Sequence, residues 1–168
     1  MFQCGDRVLY GMHGVCEIVH IETQKINGKA TEYYVLQPIE GSDSKYYVPT
    51  QNEKAVAKMR PILTEEQLHA MLHSADMQHD AWIEDSNQRK QHYSSSIASG
   101  DRAALVRMVH AIHKHKEELS AAGKRLHLCD ENFLRDAERL LGAEFSLVLN
   151  IRYSDVGEFV KNIMETPK

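Results

Sequence analysis

Arg60-Pro61-Ile62-Leu63-Thr64-Glu65-Glu66-Gln67 is the stretch on which the fold turns, because the chain changes its periodicity across it. Upstream, β-branched and aromatic residues come in short runs closed by turn residues. Downstream, apolar residues recur at helical spacing. Thr64, followed three positions later by Gln67, fits a capping box in which the hydroxyl serves the first turn and the amide reaches back. Leu68, Met71 and Leu72 then share one helix face. The boundary divides the chain into a β domain, 1–62, and a helical domain, 63–168.

Four runs precede the boundary: residues 6–10 (DRVLY), 15–22 (VCEIVHIE), 32–37 (EYYVLQ) and 45–48 (KYYV). The first closes on Gly11-Met12-His13-Gly14. Ile26-Asn27-Gly28-Lys29 holds the Asn-Gly pair of a two-residue type I′ hairpin, where both central residues must accept positive φ. Gly41-Ser42-Asp43 reads as a second hairpin loop. Pro49 has no N–H for a ladder, so it belongs at a strand end or on an edge. Four or five strands at this spacing predict a small, curved antiparallel barrel or half-barrel.

Beyond the first helix, a second is predicted from near Asp80 to about Ala98. Ser99-Gly100-Asp101 is a stop followed by a start, with Gly100 past one helix end and Asp101 capping the next. Leu105, Met108, Val109 and Ile112 form the core stripe of the third helix. Asp130 is the expected cap of a fourth, with Leu134, Leu141, Phe145 and Val148 on one side. Ser154 is the expected cap of a fifth, with Val156, Phe159, Val160, Ile163 and Met164 inward. The whole is an α+β two-domain chain whose second part is an all-α domain of about five helices.

The 168 residues are 42% hydrophobic and 26% charged, with a formal net charge of −4, which excludes a globally basic nucleic-acid coat. No apolar run approaches the roughly 18–20 residues of a bilayer span, and charges occur throughout residues 2–25, so neither a membrane segment nor a signal peptide is expected. Three scattered cysteines, Cys4, Cys16 and Cys129, suit reduced thiols in a cytoplasmic protein. The charge is uneven. Residues 64–85 carry six acids and no Lys or Arg, whereas residues 86–125 carry eight Lys or Arg against three acids. In the third helix Arg107, His110 and Lys114 fall at i, i+3 and i+7, nearly opposite the core stripe. Such a ridge can neutralise phosphates; it can equally be an ordinary solvated face. Trp82, the sole tryptophan, is open to two readings: a wedge against a base step or partner, or a helix-start anchor in the core.

Ten histidines raise the question of a metal. His69 and His73, His110 and His113, and the pair His127 and Cys129 have no CxxC or HExxH context, so surface histidines are expected and no metal or cofactor is assigned. Phosphate-cradling, dinucleotide and nucleophile-elbow motifs are absent from the sequence, and no enzymatic activity is expected.

The run Phe2-Gln3-Cys4-Gly5-Asp6-Arg7-Val8-Leu9-Tyr10-Gly11-Met12-His13-Gly14-Val15 resembles the opening of the CarD/CdnL family of bacterial transcription regulators, in which GD-x-V-x-Y leads to an HG turn and a strand. The similarity continues through Glu32-Tyr33-Tyr34-Val35-Leu36, Tyr47-Val48-Pro49, Ser99-Gly100-Asp101, Lys124-Arg125-Leu126 and Glu138-Arg139-Leu140-Leu141. The first module also resembles the polymerase-interacting domain of the transcription-repair coupling factor, without the helicase motors.

The resemblance implies a Tudor-like (SH3-like) β domain that docks on the RNA polymerase β subunit by a sheet edge, and a helical domain against promoter DNA at the upstream edge of the bubble. It implies no cofactor, a monomer, no membrane, and a cytoplasmic, nucleoid-associated place through polymerase. For polymerase docking it points to Gln24, Tyr46, Tyr47, Val48 and Pro49. For DNA, the resemblance together with the basic segment points to Trp82, Ser86, Arg89, Lys90, Arg107, His110, Lys114, Lys124 and Arg125, with weak binding when polymerase is absent. The chain departs from the family in two respects. Relatives place a wedge tryptophan where this chain has Ser86, one helical turn after Trp82, and relatives' arginines correspond to Gln24 and Tyr47. A protein–protein adaptor without a DNA role is the alternative.

Overall fold

The computed structural model describes residues 1–40, 43–74, 77 and 81–165. The chain divides into two compact units, Met1–Ile62 and Leu63–Lys168.

In the first unit, β1 (Arg7–Tyr10), β2 (Val15–Ile26), β3 (Lys29–Pro38), β4 (Tyr46–Pro49) and β5 (Met59–Pro61) form one sheet in the order β4-β3-β2-β1-β5. All neighbours are antiparallel. The β2–β3 hairpin is set by its turn: Asn27 and Gly28 take φ of 53° and 79°, and Ile26 pairs directly with Lys29. A two-residue turn lets both strands run to the tip, so they extend past the runs read from sequence. Between β1 and β2, Gly14 has φ 75° and ψ −150°, a conformation that a Cβ disfavours. Of the expected second hairpin loop, Gly41 and Ser42 lie outside the described residues. The strands on either side pair from Tyr33–Pro49 to Leu36–Tyr46.

The five antiparallel strands are present as expected, and among the described residues they do not close into a barrel. β4 and β5 lie at opposite margins and do not pair with each other. Both are short, both end in a proline that cannot donate to a ladder, and helix α1 (Glu53–Val56) lies between them in the chain. Val8, Cys16, Ile18, Tyr34, Leu36, Val48 and Met59 form the core of this unit. Burial pushes the Cys16 thiol up to about 11, so it behaves as a small apolar side chain.

The second unit contains α2 (Glu65–Leu72), α3 (Ser86–Ser99), α4 (Arg102–Ala121), α5 (Leu128–Leu149) and α6 (Val156–Glu165). The capping box is present: the Gln67 N–H donates to Thr64 Oγ1 at 3.2 Å and the Thr64 N–H to Gln67 Oε1 at 3.0 Å. Gly100 ends α3 in the left-handed region at φ 59°, and Asp101 accepts from the Ala104 N–H at 3.0 Å to open α4. Leu68, Leu105, Met108, Ile112 and Phe145 are among the largest fully buried apolar side chains of the core where these helices meet.

Three helix starts differ from expectation. α3 begins at Ser86 because Asp85 accepts from the N–H groups of Asn87 and Gln88, satisfying two donors that a helix start leaves unpaired. Asp80, the expected start, lies outside the described residues. α5 begins at Leu128, after His127, so Asp130 is inside the helix and not its cap. A 3₁₀ turn at Tyr153–Asp155 precedes α6, and Ser154 donates to Asp155 Oδ1 instead of capping.

Two buried carboxylates tie the helices. Asp130, 1% exposed, receives Arg89 Nε at 2.9 Å and Nη2 at 3.0 Å, while Arg89 Nη1 donates to the Ile83 and Glu84 carbonyls. Glu144 receives Arg102 Nε at 2.7 Å on one oxygen and the Leu63 N–H at 2.9 Å on the other. Removing one partner of a buried pair strands the other, at a cost of about 3–5 kcal/mol, whereas replacing both by apolar groups of similar volume is often near neutral. Asp130→Ala is therefore expected to lower unfolding free energy in urea by about that amount. The double change Arg89→Met with Asp130→Leu is expected to recover most of the loss, and failure to recover would show that the carbonyl contacts of Arg89 matter more than the pair.

Candidate functional site

In the first unit the ladder register places the docking candidates. Tyr47 lies opposite Val35, which lies opposite His20; Pro49 lies opposite Tyr33, which lies opposite Glu22; Gln24 lies opposite Thr31. Residues directly paired share a sheet face, so Gln24, Glu22, Tyr33, Tyr47 and Pro49 are on one side. Tyr47 is 47% exposed, its ring edge-on to Tyr33 at 6.4 Å. Gln24 donates to Glu22 Oε1 at 2.8 Å. By strand geometry Gln24 lies about 16 Å from Tyr47, four residues along and two strands across.

Alternation sends Tyr46 and Val48 to the other face. Val48 is 1% exposed in the core, so it offers a partner its backbone and not its side chain. The half-buried Tyr46 ring packs on His13 at 4.1 Å and on Tyr10 at 6.1 Å. The expected pair of neighbouring tyrosines thus presents one ring on each face. β4 has a neighbouring strand on one side only among the described residues, leaving backbone groups of its outer side for another strand.

In the second unit, the expected nucleic-acid residues separate into two sets. Ser86, Lys90, Lys114, Lys124 and Arg125 are exposed, and Arg107 and His110 are half-buried on α4. Glu117, the nearest acid along that ridge, is held below the ordinary carboxylate range by the Lys161 ammonium, which donates to it at 3.0 Å. Arg89 is the correction. It is 5% exposed and its guanidinium is committed to Asp130 and two carbonyls, so it is no phosphate ligand. Hydrogen bonding to Asp130 also raises its already high pKa. The signal was available in sequence: Arg89, Tyr93 and Ile97 fall at i, i+4 and i+8, the buried face of α3.

Trp82 packs against the helical core. His115 stacks on its ring at 3.7 Å with 13° between planes, and Arg89 Cζ lies over the ring 4.3 Å from the centroid. Two planar groups at those heights cannot share one face, so the indole is sandwiched between them. His115 Nδ1 faces Glu118 at 3.5 Å. Of the two sequence readings, the anchor describes this side chain.

Among the described residues no group of three or more His, Cys, Asp or Glu is placed to hold a metal, and no helix is long and apolar enough to cross a membrane.

Among the described residues the first unit is a small open sheet whose β4 margin has a strand on one side only and whose one face presents the exposed Tyr47. Residues 2–63 match the family model of the CarD-like/TRCF RID domain, so the first unit is similar to that domain. RID domains interact with the β subunit of RNA polymerase. The match ends where the first unit ends, so the helical unit is read from its own surface.

Because Trp82 is the only tryptophan, its fluorescence reports the sandwich. Emission is expected to be blue-shifted relative to free tryptophan and poorly quenched by acrylamide. His115→Ala uncovers one ring face and is expected to raise the quenching constant about two- to threefold, in line with the loss of a stacked partner of roughly 1 kcal/mol. Free-indole behaviour in the wild type would contradict the packing.

Proposed function

We propose that the chain is a non-enzymatic, monomeric regulator of transcription initiation, docked on the RNA polymerase β subunit by its first unit and touching promoter DNA with its second. The observation that carries the first half is the RID-domain match over residues 2–63, joined to a sheet whose β4 margin has a strand on one side only. A partner strand added at that margin supplies main-chain hydrogen bonds, while Tyr47 and Gln24 on one sheet face supply side-chain contact.

The DNA half rests on Lys90, Arg107, His110, Lys114, Lys124 and Arg125, a surface suited to phosphates and not to base edges. With Trp82 packed and a serine at position 86, affinity for DNA is mainly electrostatic, weak alone and steep in salt. Tethering to polymerase compensates through local concentration. A factor that binds the open promoter better than the closed one shifts that equilibrium by its differential affinity.

The acidic run over residues 64–85 and the packed Trp82 favour a second reading, an adaptor whose helices bind a third protein. A gel shift on a forked promoter fragment at fixed salt, with and without polymerase, separates the two. A supershift that depends on Lys114 supports the DNA reading, and polymerase binding with no added DNA protection supports the adaptor.

Tyr47→Glu puts a charge into the docking face and is expected to weaken capture by the polymerase β lobe at least tenfold, about 1.4 kcal/mol, with the melting temperature unchanged. The double reversal Arg107→Glu with Lys114→Glu is expected to shorten open-complex lifetime several-fold while β-lobe capture stays constant. An unaltered lifetime would remove α4 from the DNA surface.

A further inference from the structure

His69 and His73 stand one turn apart at the end of α2, where residues at i and i+4 share a face. His73 closes the helix with φ −88° and ψ −1°, and its N–H donates to the His69 carbonyl at 3.0 Å, so helical spacing is kept through both. Their rings lie within 17° of parallel with centroids 6.3 Å apart. His69 is half-buried, and its ring meets the Phe159 ring of α6 edge-on at 5.7 Å. His73 is exposed. One imidazole is thus fixed by packing, and the other lies at the surface.

The surroundings are anionic. Glu65 Oε1 lies 3.9 Å from His69 Nε2. The Glu66 carboxyl is held below the ordinary carboxylate range, chiefly by hydrogen bonds to its own backbone and to Thr64, and it also acts on His69 by charge. Residues 64–85 carry six acids and no Lys or Arg. Neither the docking face nor the basic surface uses this segment. The other helical pair, His110 and His113, sits in the basic segment, and there Glu138 already takes His113 at 2.7 Å.

We propose that His69 and His73 form a bidentate site for a divalent transition-metal ion, with the Glu65 and Glu66 carboxylates supplying negative charge beside it and water filling the remaining coordination positions. Imidazole nitrogen suits zinc, copper and nickel, and two histidines one helical turn apart can hold one such ion. Metal–nitrogen bonds of about 2.0–2.1 Å at a tetrahedral ion put two such ring centroids about 5 Å apart. The observed separation is longer by about 1 Å. A turn of the exposed His73 side chain closes that gap while His69 keeps its contact with Phe159. A site of two protein ligands agrees with the absence, among the described residues, of any larger group placed for a metal. An ion held this way ties successive turns of α2 and binds only the folded chain, so it stabilises the helical unit. The site is independent of polymerase and DNA.

The test uses the full chain, stripped of metal with EDTA and titrated with Zn²⁺, Ni²⁺ or Mg²⁺. Calorimetry is expected to show one Zn²⁺ or one Ni²⁺ per chain and no Mg²⁺, which prefers oxygen ligands. His73→Gln changes an exposed position. It is expected to weaken Zn²⁺ binding at least about tenfold and to remove the rise in melting temperature that Zn²⁺ gives the wild type. His92→Gln, at an exposed position of α3, is expected to bind as the wild type does. In the wild type the nitrogen-15 imidazole resonances of His69 and His73 are expected to move together and to saturate at one Zn²⁺, a readout that needs no variant. Unchanged Zn²⁺ affinity in His73→Gln overturns the inference, as does movement of other histidine resonances in place of these two. Mg²⁺ binding as tight as Zn²⁺ also overturns it, assigning the cation to the carboxylates alone. Absence of saturable Zn²⁺ and Ni²⁺ binding by the wild type overturns it outright, with the proposed function untouched.

Discussion

The helical unit depends on one buried ion pair. Arg89 on α3 and Asp130 in the first turn of α5 meet through two hydrogen bonds at 2.9 and 3.0 Å, both side chains nearly free of solvent. The same guanidinium holds the carbonyls of Ile83 and Glu84, so the stretch before α3 is fixed by a side chain of α3 itself. It also lies over Trp82, whose other face is taken by His115 of α4. One arginine therefore joins α3, α5, the preceding extended segment and, through the indole, α4. A buried ion pair is weak evidence for added stability, since two desolvated charges offset much of their attraction. What it fixes is register: a planar fork accepts a carboxylate in one orientation, and the helices must lie where that orientation is met.

In the first unit the comparable constraint is alternation along short strands. Once Val48 is buried, Tyr47 must face the other way, and Tyr46 must follow Val48. The neighbouring tyrosines that look like one aromatic patch in sequence are split by the sheet. Tyr46 closes over Tyr10 and His13, and Tyr47 meets Tyr33 on the face that also bears Gln24. Both marginal strands are short and end in a proline, which lacks the N–H that a ladder needs.

Features written in a few adjacent residues were legible in sequence. The Thr64–Gln67 box, the Gly100-Asp101 stop and start, and the Asn27-Gly28 turn each rest on the chemistry of two to four neighbours, and each stands where the residues indicate. Features set by distant partners were not. Asp130 is a residue type favoured at an N-cap, but α5 begins two residues before it, and its carboxylate is taken by Arg89, 41 residues earlier. Arg89 in turn looks like one more base in a basic stretch until its spacing with Tyr93 and Ile97 is counted. β5 pairs with β1 across most of the first unit, and three residues ending in proline carry little strand signal of their own. Of the candidate residues, the lysines are exposed as charged side chains usually are, whereas the burial of Arg89, Val48 and Trp82 required knowledge of what packs on them.

On the proposed reading, the packing of Trp82 changes what the helical unit can do to DNA. An indole held between two planar partners can reach a base step only by giving up both contacts, and the extended segment that carries it is itself pinned by Arg89. A surface of separate cations is thus left to act mainly through phosphates, and at physiological ionic strength such charges are felt over about 8 Å. That range is short enough that the contact matters only when something else holds the unit beside the duplex. In that proposal a strand edge would give directional, salt-tolerant binding to a large partner, and the basic helices would need only to distinguish an open promoter from a closed one by a small difference in free energy.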